Sequence, residues 1–150
     1  LEISPEQWMA AFDVHVHAVF HLCRAVIPLM QRQKEGAIVL ISSAAGLRGC
    51  PGAIGYQAVK GALPQIARSI ARDFAKDNVR ANVVAPGIIS TRFHQKMTPE
   101  ARLNNLENRI PLRREGAVAE VAHLICELAI NEYITGETVS IDGGLTMRIA

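Results

Sequence analysis

Residues 37–60 read AIVLISSAAGLRGCPGAIGYQAVK, and they carry the clearest structural signal in the chain. The opening AIVLIS is short, rich in β-branched residues and free of polar alternation, which is typical of a strand covered on both faces of a parallel sheet. Serine and glycine follow at once and indicate a loop, and helical spacing of apolar residues begins at Ile54. The stretch therefore predicts a strand, a loop and a helix in succession.

Upstream of this stretch, residues 3–33 predict one long helix. Their apolar side chains, Phe20 among them, recur every three or four positions, so we expect a buried apolar stripe. Ser4 is the expected N-cap, Pro5 suits the first helical position, and Gln7 stands where a capping box requires a glutamine.

Downstream, the helix from residue 54 is expected to run to about residue 77, with a weakened or kinked turn at Pro64. NVRANVVAPG at 78–87 repeats the buried-strand pattern, and the polar segment 88–114 is long enough to form a lid. The remaining elements are a short helix at 99–108, a helix at 117–129 and a strand at 137–141. This alternation predicts an α/β fold with a parallel sheet, in which ligands bind beyond the carboxyl ends of the strands.

Composition indicates one globular domain. Of the 150 residues, 49% are hydrophobic and 20% are charged, with a net charge of +2, so disorder is not expected. We expect no membrane contact, because no run of about 18 consecutive apolar residues occurs. Nucleic-acid binding is not expected either, because the basic residues form no stripe interleaved with aromatic ones.

Three widely spaced cysteines without a CxxC pair argue against a disulfide framework or a zinc knuckle, and for a reducing, cytoplasmic setting. The first residues, LEISPEQW, lack the basic and apolar regions of a signal peptide and include no initiator Met. We therefore expect the chain to start within a longer protein.

Three residue types point to proton-transfer chemistry. Ser43 follows the first strand, Tyr56 comes thirteen residues later, and Lys60 lies one helical turn beyond Tyr56. Residues four apart share a helix face, and an ammonium beside a phenol favours the phenolate, which makes Tyr56 a candidate general acid or base. The Ser43 hydroxyl is placed to hydrogen-bond the same substrate oxygen.

Four linked landmarks cover most of the chain. They are IVLISSAAGLRGCPGAIGYQAVKGAL at 38–63, VRANVVAPGIISTRF at 79–93, IPLRREG at 110–116 and YITGETVSIDGG at 133–144. With the Ser and Tyr-x-x-x-Lys spacing, the chain resembles the short-chain dehydrogenase/reductase family. The resemblance implies a doubly wound Rossmann fold, of which this chain corresponds to the second half: three parallel strands with flanking helices, in a single partial domain over residues 1–150.

The resemblance also implies a function. Tyr56 would protonate the carbonyl oxygen during reduction, Lys60 would also hold the nicotinamide ribose hydroxyls, and Ser43 would position the substrate. The cofactor would be NAD or NADP, the substrate a small carbonyl or alcohol compound, and the protein a homodimer or homotetramer. The residues matching the segment that contacts the nicotinamide end and the diphosphate are Pro86, Gly87, Ile89 and Thr91.

Two departures from the family stand out. The glycine-rich phosphate turn is not found in these 150 residues, since Gly46, Gly49 and Gly52 have GxxGxxG spacing and lie between Ser43 and Tyr56. In the first helix, VHVHAVF at 14–20 places His15 where the family usually has an asparagine that holds a relay water. His15 is therefore a candidate site residue whose support of the proton relay is an open question.

Several alternatives stay open. The chain could be a non-catalytic oligomerisation fragment that binds no cofactor, or Tyr56 and Lys60 could be ordinary exposed residues of a helix. His17 and His21 have metal-ligand spacing without an acidic or cysteine partner, so we predict no metal site. Cations of the polar segment could contact an anionic substrate or simply face solvent: Arg92, His94, Lys96, Arg113 and Arg114.

Overall fold

The computed structural model describes residues 2–94 and 97–147. In chain order the elements are α1 (Pro5–Phe12), a π-helical turn (Asp13–His17), α2 (Ala18–Gln33), β1 (Gly36–Ile41), α3 (Ala44–Leu47), α4 (Ile54–Phe74), a 3-10 turn (Ala75–Asp77), β2 (Val79–Pro86), α5 (Pro99–Asn104), a second π-helical turn (Asn105–Arg109), α6 (Val118–Ile130) and β3 (Thr138–Ile141). Within the described ranges the strands form one three-stranded sheet in the order β1, β2, β3. Both pairings are parallel, so the predicted α/β architecture is confirmed.

The central strand, β2, carries the core. Its residues from Val79 to Ala85 are all buried, and most of them are the alanines and valines expected of a strand covered on both faces. It pairs with β1 from Gly36↔Val79 onward and with β3 from Val83↔Thr138 onward. Side chains of α2 and α4 cover this sheet, with Cys23 and Ala67 in the main cluster.

The first helix begins as predicted but does not bury its whole stripe. Ser4 accepts a hydrogen bond from the Gln7 backbone amide at 3.2 Å, and the Gln7 side chain accepts one from the Ser4 amide at 3.0 Å, which completes the capping box. Within α2 only Cys23 and Ile27 are buried, whereas Phe20 is 56% exposed. A single copy of the chain therefore buries only part of the predicted stripe, because its own sheet and α4 cover only part of that face.

By length and composition, the helix from Pro5 to Gln33 is able to cross a membrane, since an 18-residue window reaches a mean hydropathy of 1.3. The absence of a long consecutive apolar run does not reveal this window, because polar side chains interrupt the apolar ones. Core helices and signal sequences pass the same test, and here the segment packs along the sheet and against α4. Its place is in the helical layer of the α/β fold.

Helix α4 continues through Pro64, where the sequence predicts a weakened turn. Proline has no amide hydrogen to donate to the carbonyl four residues earlier, which belongs to Lys60. The Ser42 hydroxyl donates to that carbonyl oxygen at 2.7 Å instead. The hydrogen bond that Pro64 cannot make is thus replaced by one from Ser42, directly after β1, which also holds α4 against the end of that strand.

A buried arginine joins β2 to the end of α6. Arg80 is 9% exposed, and its guanidinium donates to the carbonyl oxygens of Leu128 at 2.9 Å and Ala129 at 2.7 Å. It also donates to Ile134 at 3.3 Å. Terminal helix carbonyls lack intrahelical partners, so Arg80 supplies donors where α6 needs them. This contact fixes the chain before β3.

Candidate active site

A cleft of about 870 Å³ opens at the carboxyl ends of β1 and β2. This is the edge at which parallel sheets bind ligands. Every residue predicted for catalysis or cofactor contact lines it, except His15: Ser43, Tyr56, Lys60, Pro86, Gly87, Ile89 and Thr91. Residues far apart in the sequence therefore meet around one space.

Tyr56 and Lys60 stand side by side on α4. The Lys60 Nζ atom lies 5.9 Å from the centroid of the Tyr56 ring and donates to the Ile41 carbonyl oxygen at 2.9 Å. That oxygen belongs to the last residue of β1, so the strand end fixes the ammonium. Burial lowers the pKa of Lys60 from its ordinary value. Tyr56 remains 36% exposed and lines the cleft.

Ser43 also lines the cleft and caps the start of α3, a short helix where the sequence predicts a loop. Its Oγ accepts a hydrogen bond from the Ala45 amide at 3.2 Å, as an N-cap does. The helix sits directly on α4, because a Cβ on Gly46 would lie 2.8 Å from the Lys60 carbonyl carbon. Gly46 thus sets the distance between the elements that carry Ser43 and Lys60.

His15 lies outside the cleft lining but next to Tyr56. Its ring meets the Tyr56 ring edge-on, with centroids 6.3 Å apart. Partial burial, and then the positive charge of Lys60, lower the pKa of His15 from its ordinary value. His15 occupies the π-helical turn between α1 and α2, a type of irregularity common at functional sites that the hydrophobic pattern could not reveal.

The segment after β2 forms one wall of the cleft. The Gly87 amide donates to the Ile141 carbonyl at 3.0 Å, and a Cβ on Gly87 would lie 2.7 Å from Asp142 Cα. Ile89 is buried and pairs in parallel with Gly116, which anchors the segment. The Thr91 hydroxyl donates to the Ile89 carbonyl at 3.3 Å. A side chain at position 87 would therefore push this wall away from the sheet.

The cations predicted in the polar segment separate into different roles. His94 lines the cleft, with Nδ1 2.8 Å from the Ile89 carbonyl oxygen. Arg114 is ion-paired with Glu120 at 2.6 Å instead. Arg92 and Arg113 are not among the lining residues, and Lys96 lies outside the described residues.

Two cations that line the cleft were missed at the sequence level. Arg48 belongs to the loop between α3 and α4, and Arg109 ends the second π-helical turn. Nothing in their local sequence marks them, because their place in the cleft lining depends on tertiary structure. Cys50 also lines the cleft, and the Gln57 side chain bonds both backbone groups of Cys50, accepting from its amide at 2.8 Å and donating to its carbonyl.

Comparison with known proteins identifies the family to which the chain belongs. A family model described as enoyl-(acyl carrier protein) reductase matches residues 1–146. The chain belongs to the short-chain dehydrogenase/reductase family. The 3-oxoacyl-(acyl carrier protein) reductase of the same family from Thermotoga maritima is 39% identical over 149 residues, which is 98% of this chain and 60% of the relative.

Two solved structures of the family share the fold. A gluconate 5-dehydrogenase from Burkholderia cenocepacia, in complex with NADP and tartrate, has a TM-score of 0.92 and 29% identity, covering 99% of this chain and 59% of the other. A 3-oxoacyl-(acyl carrier protein) reductase from Brucella melitensis with bound NAD has a TM-score of 0.87 and 34% identity, covering 98% and 55%. The chain thus spans somewhat more than half the length of these dehydrogenases and reductases.

Proposed function

We propose that this chain carries the catalytic half of an NAD(P)-dependent oxidoreductase that transfers hydride between a nicotinamide and a carbonyl or alcohol carbon. The observation that carries the proposal is the meeting of Ser43, Tyr56 and Lys60 around one cleft at the carboxyl edge of the sheet. If Tyr56 and Lys60 were ordinary exposed residues, there would be no reason for them to share a cleft with Ser43. Nor would there be a reason for a hydrogen bond that holds Lys60 to the Ile41 carbonyl at the end of β1.

In reduction, Tyr56 donates its phenolic proton to the carbonyl oxygen. The nearby Lys60 ammonium stabilises the phenolate that remains, because an opposite charge favours the ionised form. Ser43 uses its oxygen to cap α3, so its hydroxyl hydrogen is left to donate to the same substrate oxygen. Two donors then converge on the atom where negative charge develops.

The lining residues fit a nicotinamide cofactor. An ammonium has three donors, and Lys60 gives one to Ile41, which leaves two for the ribose hydroxyls. The wall formed by Pro86, Gly87, Ile89 and Thr91 borders the same space. Bound NAD or NADP would supply or accept the hydride. Structural relatives solved with NADP and with NAD support the choice of cofactor.

His15 is proposed to stand in for the asparagine of the family and to pass the proton between Lys60 and solvent through a water. Its contact with Tyr56 and the influence of Lys60 on its pKa support this placement. Only the neutral ring can both accept and pass on a proton, and a lowered pKa keeps the ring neutral.

We further propose a cytoplasmic homodimer or homotetramer. Exposed apolar side chains such as Val14 on the π-helical turn and Leu22 on α2, each 65% exposed, offer an association surface. The three cysteines are free, which suits a reducing compartment. The rival function is an oligomerisation fragment without cofactor binding, and the same exposed surface favours it.

Replacement of Lys60 tests the proposed function. In the natural full-length protein, Lys60→Ala should reduce the turnover of carbonyl substrates and raise the Kd for NADPH or NADH, since Lys60 serves both. Lys76→Ala, an exposed lysine on the 3-10 turn, is the matched control. A parent protein that self-associates but shows no NAD(P)H binding by fluorescence titration would establish the oligomerisation reading instead.

A further inference from the structure

We propose that the substrate of this cleft carries an anionic group, a carboxylate or a phosphate, and that Arg48 and Arg109 bind it. The inference rests on the proposed function of the same cleft and adds the substrate class. It starts from the charge of the lining. Lys60, Arg48 and Arg109 line the cleft together with His94, whereas none of its lining residues in the described part of the chain is Asp or Glu.

The two arginines differ from other arginines of the same region in what they contact. Arg102 pairs with Glu115, and Arg114 with Glu120, each at 2.6 Å. Their positive charges are compensated by carboxylates within the protein. The carboxylate of Glu115 is therefore already engaged by Arg102, and it does not line the cleft.

Arg48 and Arg109, by contrast, are held by neutral acceptors. Arg48 Nε donates to the Thr146 carbonyl at 3.0 Å, and Arg109 Nη1 donates to Asn105 Oδ1 at 2.8 Å. Asn105 is buried, so the position of Arg109 is fixed from within. A guanidinium has five N–H donors, and the bonds to neutral acceptors leave most of them and the full charge for a ligand.

The two arginines belong to segments that lie far apart in the sequence. Arg48 precedes Tyr56 in the loop after α3, and Arg109 ends the turn that follows α5. Both border the space into which Ser43 and Tyr56 face. Guanidinium groups bind carboxylate and phosphate with paired, charge-assisted hydrogen bonds. An anion held there would orient the reacting carbon of the same molecule toward Tyr56.

The thiol of Cys50 allows a test that needs no turnover. Cys50 lines the cleft, Cys23 is buried, and Cys126 is exposed, so a Cys126→Ala background leaves Cys50 as the accessible thiol. In the natural full-length protein, with any further cysteines replaced, the rate of Cys50 labelling by neutral dithiodipyridine is measured against added succinate, inorganic phosphate or neutral dimethyl succinate. We expect the anions, but not the diester, to protect Cys50.

Arg109→Gln and Arg48→Gln should each weaken anion protection by about fivefold, the effect of removing one charge at contact distance in water. Arg68→Gln, on the exposed face of α4, should leave it unchanged. Stronger protection by succinate would indicate small keto acids as substrates, and stronger protection by phosphate would indicate phosphate-bearing carriers. Either result supports the anion site.

Equal protection by succinate and its diester, no protection by either anion, or protection unchanged in both arginine variants would overturn the proposal. It would also be overturned if Arg109→Gln weakened NADPH binding while succinate protection stayed the same, because the arginines would then serve the cofactor. The labelling is independent of catalysis, so failure of the anion site is distinguishable from failure of the proposed oxidoreductase activity.

Discussion

Gly46 is a position where one added methyl group should disturb the site. A Cβ there would lie 2.8 Å from the Lys60 carbonyl carbon, 2.9 Å from Lys60 Cβ and 3.0 Å from the Gly61 nitrogen. Ordinary contact begins at 3.4 Å, so α3 must move by about 0.6 Å from α4. The obstructing atoms are mostly backbone of a packed helix and cannot rotate away. Overpacking of this kind costs about 1–3 kcal/mol of folding free energy.

The same displacement should reduce catalysis, because Ser43 begins α3 and Lys60 lies beneath it. A misplacement of about 1 Å can cost about a hundredfold in rate, so we expect Gly46→Ala to lose about tenfold or more in turnover. Urea denaturation and steady-state kinetics of the natural full-length protein measure the two effects.

Gly49→Ala is the stability control for this experiment, because a Cβ at Gly49 meets no atom within 4 Å. It should change the free energy of unfolding by less than about 0.5 kcal/mol. If Gly46→Ala matched the parent in both stability and turnover, the contact between α3 and α4 would not govern the placement of Ser43.

Three further changes test other parts of the account. Arg80→Met should lower the free energy of unfolding by about 3 kcal/mol or more in urea titrations, since it leaves buried carbonyls without a donor; a loss below about 1 kcal/mol would contradict this. Ser42→Ala should lower the free energy of unfolding by about 1–3 kcal/mol, because it leaves the Lys60 carbonyl without a donor. Adding Pro64→Ala should recover part of this loss, because residue 64 then has an amide hydrogen to donate to the same carbonyl. Additive losses in the double variant would show that Ser42 does not replace the missing amide. His15→Asn should remove an acid limb of the pH–rate profile. This limb should lie below the ordinary histidine pKa of about 6.5, because the lowered pKa of His15 moves its protonation to lower pH. Superimposable profiles of parent and variant would exclude His15 from the relay.

The sequence predicted the features that depend on local pattern. Apolar runs gave the strands around Leu40 and Val83, and the Ser4 capping box gave the start of the first helix. The Tyr56 and Lys60 pair follows from helical spacing alone. The predicted parallel sheet put a ligand site beyond the strand ends, and the resemblance to a family implied the cofactor-contact positions. All of the predicted site residues except His15 line one cleft.

Features that depend on tertiary contacts escaped prediction. Pro64 does not interrupt α4 because Ser42, more than twenty residues upstream, supplies the replacement donor. Arg48 reaches the carbonyl of Thr146 across nearly a hundred residues, which no local pattern encodes. Phe20 is exposed although it belongs to the predicted apolar stripe. Periodicity identifies an apolar helix face, but it does not show whether the same chain covers that face.

The proton-donor role of Tyr56 can be tested with a single substitution in the natural full-length protein. Tyr56→Phe keeps the ring and removes the hydroxyl, so cofactor-dependent turnover of carbonyl substrates should fall by about a hundredfold to ten-thousandfold. The Kd for NADPH or NADH should stay within about twofold, the equivalent of roughly 0.4 kcal/mol. A Tyr56→Phe protein that keeps half of the parent's turnover would contradict the assignment of Tyr56 as the proton donor.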